Sequence, residues 1–315
     1  MEKKHVEIVI PCFNEEACVA LIYQAVNEIA KIIQNYEVSI LYVDDGSKDS
    51  TLAEIKKVAK VSDLGGGEVH YISFARNFGK EAAIYAGLSN SKADYIALMD
   101  ADLQHPPKLL IDMIKGIEEG YECCGARRVN RNGESVIRST CSKLFYRMIS
   151  SITSIQMQSG TTDYRLMTRK FVNAVLSMSE KNRFTKGLFS WVGFQTKWIE
   201  YENVERAAGN TKWTLSGLVR YAVNGFMSFA TTPLRGAIYL GFFVMIIAFI
   251  YGVAVFINAI TSDGERTGYA SIMFAVLMLS SIIILLLGII GEYLARIYME
   301  VKNRPIYIAK EEKLD

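Results

Sequence analysis

The sequence predicts an α/β fold: a mostly parallel sheet with helices on both faces, followed by a C-terminal two-helix transmembrane hairpin. Three observations carry this. Strand-like and helix-like segments alternate up to about residue 125. Acidic and polar residues gather where the strand-like runs end. Two long runs near the C-terminus hold no charged residue.

The alternation reads in order. "VEIVIPCF" (6–13) is a strand and "EEACVALIYQAVNEIAKII" (15–33) has helical periodicity. "EVSILYVDD" (37–45) is a second strand, and a helix follows from Asp49 or Ser50. "SDLGGGE" (62–68) is a loop, "VHYISFA" (69–75) a third strand and "KEAAIYAGLSNS" a helix. "YIALMD" is the fourth strand and "PKLLIDMIKGIEEG" one more helix. This spacing argues helices covering both faces of a parallel sheet. Such sheets bind ligands beyond the carboxyl ends of their strands. Asn14, Glu15, Asp44, Asp45, Arg76, Asp100 and Asp102 all fall there.

Between 126 and 210 the pattern is less regular. "GARRVNRNGESVIRS" (125–139) reads as polar, flexible and basic, with a short helix after it over "CSKLFYRMISSI". From Trp213, apolar residues Leu215, Leu218, Val219, Ala222, Val223, Phe226 and Phe229 share one helical stripe, which suits a helix lying in a membrane interface. Gly236 to Ser262 and Tyr269 to Gly291 contain no charged residue, and each run exceeds the roughly 20 residues that span a bilayer. The connector "SDGERTG" is short and holds a single Arg, while Arg220, Arg235, Arg296, Lys302, Arg304 and Lys310 flank the pair. The positive-inside rule then sets both flanks in the cytoplasm. The expected organisation is a catalytic domain over 1–210, interfacial helices over 211–233, a hairpin over 234–299 with spans near 236–260 and 269–292, and a cytoplasmic tail over 300–315. This describes a multi-pass protein of the inner or plasma membrane.

Bulk properties exclude other classes. A net charge of +2 shows no bias toward nucleic acid. Val6 to Ile10 is too short for a signal peptide, contains Glu7 and soon meets Pro11. Five cysteines without zinc spacing read as reduced thiols in a cytoplasmic domain.

The chemistry centres on "DADLQHPP" (100–107). Asp100 and Asp102 leave the fourth strand, where side chains two apart point the same way. Two close carboxylates repel, and a cation between them removes that cost. Gln104 adds a neutral oxygen, which suits a hard ion such as Mg²⁺ or Mn²⁺. His105 reads as an imidazole packed against Pro106. Asp44 or Asp45 offers acceptors to a base or a ribose. Arg76 meets a phosphate or pairs with a nearby Asp.

Together, "PCFNEE", "DDGS", "RNFG" and "DADLQHP" resemble family 2 glycosyltransferases with the GT-A nucleotide-sugar-binding fold, and more closely their polyprenyl-phosphate branch. The resemblance continues through "GARRVNR", "TTDYRLM", "RFTKGLFSWVG", "YENVERAAGNTKW" and "GEYLARIYMEVKNRPIYI". Cys12–Phe13 departs from it, because many relatives carry an aliphatic residue and Tyr. The resemblance implies that Asp100, Asp102 and Gln104 hold the metal. Pro11, Phe13, Glu15, Asp44, Asp45, Arg76, Asp100 and Ala101 would form the nucleotide-sugar pocket. Arg127 and Arg131 would meet phosphates, Asp163 would sit near sugar and acceptor, and Arg206 and Lys212 would serve the lipid phosphate. Arg128, Arg165, Arg183 and Lys186 are further basic candidates for bringing two polyanions together.

The expected activity is inverting transfer of a hexose, glucose from UDP-glucose, to undecaprenyl phosphate. The product would be a lipid-linked donor for modifying a cell-envelope polymer, with a separate flippase and a downstream transferase, and the two spans suggest a homo-oligomer. Competing readings are the same reaction with GDP-mannose, UDP-galactose or a UDP-N-acetylhexosamine, or a non-catalytic nucleotide-sugar-binding scaffold. A processive synthase lacks its Q-x-x-R-W segment here, and "LGGGEVH" precedes a strand, whereas a dinucleotide fingerprint must follow one.

Overall fold

The computed structural model describes residues 3–61, 63–129, 160–202, 232–261 and 268–314. They belong to two compact units: one contains the sheet, its helices and the chain from Pro305 onward, and the other contains two long helices.

The first unit begins with the predicted alternation. It runs β1 (Lys4–Cys12), α1 (Glu16–Ile32), β2 (Tyr36–Asp44), α2 (Thr51–Val61), β3 (Val69–Phe74), α3 (Lys80–Asn90), β4 (Tyr95–Leu98) and α4 (Leu109–Glu118). Then come β5 (Cys123–Arg128), β6 (Thr161–Thr168), α5 (Arg169–Leu176), α6 (Thr185–Trp191) and β7 (Thr196–Tyr201). After the two long helices the chain returns as β8 (Ala309–Lys313). The eight strands form one mixed sheet in the order β7-β5-β6-β4-β1-β2-β3-β8.

Burial follows the periodicities. In α1, Cys18, Val19, Ile22, Val26, Ile29 and Ala30 are buried, one helical face laid on the sheet. β4 is buried along its whole length, as a strand covered on both sides requires. Glu7 interrupts the apolar run of β1 and is itself buried, but its carboxylate meets His70 Nδ1 at 3.0 Å. Gly87 lets α3 lie directly on β1, because an added Cβ would come 2.1 Å from Val9 Cγ1.

The topology defines the crevice. β1 pairs in parallel with β2 on one side and with β4 on the other, so the strand order reverses between β1 and β4. Ligand crevices of open α/β sheets lie at such a reversal. The half of the sheet beyond β4 is not simply parallel. β6 runs antiparallel to both β4 and β5, and β7 runs parallel to β5.

Two expectations change. The segment read as flexible from residue 125 starts as the end of β5, since Gly125–Arg128 are strand residues. The tail read as 300–315 contains β8, which pairs antiparallel with β3 and covers that sheet edge. Tyr307 stacks on Phe74 with centroids 4.8 Å apart, and Lys56 pairs with Glu311 at 2.7 Å.

The second unit consists of α7 (Thr232–Thr261) and α8 (Tyr269–Val301). Within α8, Ala275–Val301 is long and apolar enough to cross a membrane, and α7 contains a shorter apolar stretch, Tyr239–Ala254. Phe242, Phe243, Phe249, Ile284 and Leu287 are more than half exposed, which water alone would disfavour. The helix continues past Gly291, and Glu292 and Arg296 pair at 3.1 Å one turn apart. Cys12, Cys18, Cys123 and Cys124 are buried free thiols.

Candidate active site

Loops at the carboxyl ends of β1 and β2 are stitched together. Asn14 lies in the left-handed region with φ 53°. Its N–H donates to Ser47 Oγ at 2.9 Å, and its side-chain oxygen accepts from the Lys48 N–H at 2.9 Å. The Glu15 N–H donates to Thr51 Oγ1 at 2.8 Å. Gly46, with φ 65°, fits here because a Cβ would come 2.4 Å from the Arg76 carbonyl carbon. Asp44 accepts from the Ser47 N–H at 3.0 Å and the Ser73 hydroxyl at 2.8 Å. Asp45 accepts from Asn77 Nδ2 at 2.9 Å, the Phe78 N–H at 2.6 Å and the Gly79 N–H at 2.9 Å. Burial pushes the Asp45 carboxyl up to about 6, although these donors pull it the other way.

Asp44 and Asp45, one or other of which is expected to accept from a base or a ribose, are 1% and 3% exposed, and their oxygens also accept from the protein's own loops. The reason is local: the β2 exit must hold the β3–α3 loop, which would otherwise have unpaired N–H groups.

The second group of residues surrounds Asp100. β4 ends at Leu98, and the acids lie in a turn rather than on an extended strand end. Leu103 has φ 53°, and the Gln104 N–H donates to Asp102 Oδ1 at 3.2 Å. The alternation argument for the two acids therefore does not apply. The β4–β6 register ends with Leu98 paired to Arg165, and just beyond it Asp100 and the β6 residue Asp163 come within reach of one lysine. Two close carboxylates repel each other.

Lys80 relieves that repulsion. It is the first residue of α3, immediately after the glycine held by Asp45. Its Nζ lies 2.6 Å from Asp100 Oδ1 and 2.7 Å from Asp163 Oδ2. Lys186 of α6 reaches Asp163 Oδ1 at 3.6 Å. On the other side of Asp100, His105 Nε2 lies 3.7 Å from Oδ2, and His105 Nδ1 meets the Tyr201 hydroxyl at 2.6 Å. The imidazole lies nearly parallel to Tyr164 and edge-on to Tyr201, so its partners are these rings and Asp100. Burial raises the Asp100 carboxyl, but Lys80 and His105 overcome this and hold it well below the usual range. Asp163 is likewise lowered: burial opposes ionisation, and Lys186 and Lys80 outweigh it. Lys80 is raised, because its two carboxylates outweigh its own burial.

The remaining predicted residues divide clearly. Pro11, Phe13 and Glu15 are half-buried at the exit of β1, and Ala101 is buried. Arg76 is exposed with its guanidinium 4.2 Å from the Phe78 ring centroid, and among the described residues it makes no ion pair. Arg127, next to last in β5, is half-exposed and lies 3.7 Å from Glu200. Arg131, Arg206 and Lys212 lie outside the described residues, as do the helices expected over 141–152 and 213–229 and most of the 262–268 connector. Arg165 and Arg183 are corrected. Both are buried and donate to backbone carbonyls, Arg165 to Asp163 and Thr162, Arg183 to Met178 and Val175. Arg165 also lies over Phe189, and neither guanidinium is free for a polyanion.

Lys80 and Tyr201 were missed by sequence reasoning. One signal was available for Lys80: a helix N-terminus disfavours a cation, so a lysine there points to a nearby acid.

Among the described residues, no three His, Cys, Asp or Glu side chains gather into a cage. Asp100, Asp102 and Gln104 supply two carboxylates and an amide oxygen. That set fits a hard divalent ion of the kind held by one or two carboxylates plus substrate phosphates. The ammonium already seated on Asp100 shows that this position accepts positive charge.

Comparison with known proteins identifies the family. Residues 7–176 match the family described as glycosyl transferase family 2, and residues 232–297 match the GtrB C-terminal hairpin. The putative glycosyltransferase CsbB of Bacillus subtilis (strain 168) is 44% identical over 314 residues, covering 100% of this chain and 94% of that protein. The bactoprenol glucosyl transferase of Shigella phage SfV is 36% identical over 308 residues, covering 98% and 99%. Among solved structures, the mannosyltransferase PcManGT from Pyrobaculum calidifontis, in complex with GDP-Man and Mn²⁺, matches with a TM-score of 0.50. It is 13% identical, with 88% of this chain and 81% of that chain covered. The fold is the GT-A fold, joined to a two-helix C-terminal hairpin. The chain belongs to glycosyl transferase family 2.

Proposed function

We propose that the protein transfers a hexose, glucose from UDP-glucose, to undecaprenyl phosphate with inversion at the anomeric carbon. The reaction takes place at the cytoplasmic face of the cell membrane. The observation that carries this reading is the Lys80 ammonium bridging Asp100, just beyond β4, and Asp163 of β6 at 2.6 and 2.7 Å. Full-length relatives named bactoprenol glucosyl transferase support the acceptor and the sugar.

In this reading Asp100, Asp102 and Gln104 hold Mg²⁺ or Mn²⁺ beside the donor's diphosphate. The bound ion supplies positive charge that stabilises the departing diphosphate. Pro11, Phe13 and Glu15 line the nucleotide pocket with Ala101, and Arg76 meets it from the loop that Asp45 fixes. Asp163 faces sugar and acceptor. Arg127 and Arg131 steady phosphates, and Arg206 and Lys212 receive the lipid phosphate. A lipid monophosphate has a second pKa of roughly 6, so its attacking oxygen is largely anionic at neutral pH. A strong general base is therefore unnecessary, and bringing two polyanions together is the main task.

The proposed organisation is catalysis in 1–210, interfacial helices over 211–233 and a membrane hairpin over 234–299. The lipid-linked product then requires a separate flippase and a downstream transferase. Association of hairpins in the membrane would give a homo-oligomer.

The test is to incubate membranes containing the protein with a panel of radiolabelled nucleotide sugars and undecaprenyl phosphate. Label from UDP-glucose entering the organic phase supports the reading. Label from GDP-mannose alone changes the sugar, and no label from any donor defeats the acceptor assignment.

A further inference from the structure

We propose that Lys80 is a positioning residue that competes with the divalent ion for Asp100 and, once displaced, remains the partner of Asp163. The inference rests on the reading of Asp100 and Asp102 as ion ligands. Its own support is geometric. One ammonium bridges two carboxylates, Asp100 just beyond β4 and Asp163 on β6, at 2.6 and 2.7 Å. It takes the oxygen Oδ1 of Asp100, while His105 lies on the Oδ2 side. A metal bound to Asp100 and Lys80 bound to the same carboxylate would bring two cations together, so the two occupancies oppose each other. Asp163 has a second cation in Lys186 at 3.6 Å, whereas Lys80 is the nearer of the two.

The backbone under Lys80 is fixed while its side chain is free to move. Asp45 accepts the N–H of Gly79, and Glu81 accepts the N–H of Thr185 at 2.9 Å, so the residues on both sides of Lys80 are tied down. The Lys80 side chain is 41% exposed. A lysine on a flexible four-carbon stem leaves Asp100 by rotamer change alone, with α3 unmoved. Metal loading at Asp100 thus sets where the ammonium sits relative to Asp163, which links the donor side of the site to the acceptor side.

The prediction has opposite signs for binding and turnover. Lys80→Met removes the competitor, so Mn²⁺ binds more tightly, by about tenfold for a contact worth ~1.4 kcal/mol. Turnover falls at the same time, because Asp163 loses its nearest cation. Lys186→Met does not touch Asp100 and leaves Mn²⁺ affinity within about twofold of wild type. The experiment titrates Mn²⁺ into full-length protein in detergent, with and without UDP, and follows free Mn²⁺ by electron paramagnetic resonance. Lys80→Gln is the second variant, and thermal melts confirm that each variant is folded. Tighter binding with lower kcat in a folded Lys80 variant supports the proposal. Equal or weaker binding overturns it while leaving the metal reading in place. Wild-type protein that binds no Mn²⁺ in either condition overturns the metal reading, and the proposal with it.

Discussion

The Asp45 carboxylate accepts the backbone N–H of Gly79 at 2.9 Å, and Gly79 directly precedes the lysine that bridges the two acids of the site. A buried acid at the end of β2 therefore fixes the start of α3. Asp45→Asn turns one of two acceptor oxygens into a donor facing the N–H groups of Phe78 and Gly79. The expected cost is about 2–3 kcal/mol, from a buried hydrogen-bonded group left mismatched. Melting of the full-length protein in detergent should shift down, and hydrogen exchange should rise over residues 76–79.

The same group gives a pH signature. The Asp45 carboxyl is raised to about 6 in the folded protein, against about 3.9 for an unfolded aspartate. The folded state therefore holds a proton that the unfolded state releases between those values. Stability from this group is greatest below about pH 4 and falls as pH rises toward 6. The full effect is at most ~3 kcal/mol, from about two pH units at 1.36 kcal/mol each. Unfolding free energies of wild type minus Asp45→Asn should decline across that window. A difference that is flat in pH would contradict it.

Tyr201 positions His105 through a 2.6 Å contact with Nδ1, which directs Nε2 toward Asp100. Tyr201→Phe keeps both aromatic contacts and removes only the hydroxyl. Outer partners of metal ligands are typically worth tenfold or more, and Tyr201 acts one step further out, through His105 on Asp100, so kcat should fall by up to about tenfold. The KM for the nucleotide sugar should change little. A rise in KM with kcat unchanged would show that the hydroxyl serves donor binding instead.

The last strand tests how the chain's end supports the site. Tyr307 stacks on Phe74, its hydroxyl accepts from Asn90 at 2.8 Å, and Ile308 accepts the Ala75 N–H at 3.0 Å. These contacts lie immediately before Arg76. Removing residues 305–315 uncovers the β3 edge, and an open edge invites pairing with other chains. The truncated protein should melt lower and aggregate. Tyr307→Ala should cost more than ~1 kcal/mol, since the aromatic pair alone is worth about 0.5–1.5 kcal/mol. Unchanged melting in both variants would show that β8 is dispensable.

The first four strands were legible as short apolar runs buried on both faces, and helices such as α1 by their 3.6-residue periodicity. β5 was not, because "CCGARR" ends in two arginines and reads as the start of a polar loop. β8 was hidden by charge: "AKEEK" is an edge strand with Lys310 and Glu312 exposed and Glu311 paired with Lys56. The acids Asp100, Asp102 and Asp163 were found, but their relationship was misread. The sequence presents Asp100 and Asp102 as a strand-end pair, whereas in the fold Asp100 shares Lys80 with Asp163 of β6. Lys80 at a helix start hinted at a nearby acid, but its two partners, after β4 and on β6, lie far away in sequence. Arg165 and Arg183 carried no sequence mark that separates a buried carbonyl-binding arginine from a phosphate-binding one.

The most direct measurement of the central claim follows label from UDP-[¹⁴C]glucose into undecaprenyl phosphate, comparing wild-type membranes, wild-type membranes with chelator, and Asp102→Ala membranes. The account predicts lipid-linked label from wild type that is lost with chelator and falls at least about a hundredfold in the variant, since metal ligands and charge stabilisation of this kind are worth ~10²–10³ in rate. Undiminished label from Asp102→Ala, or label indifferent to chelator, would contradict it.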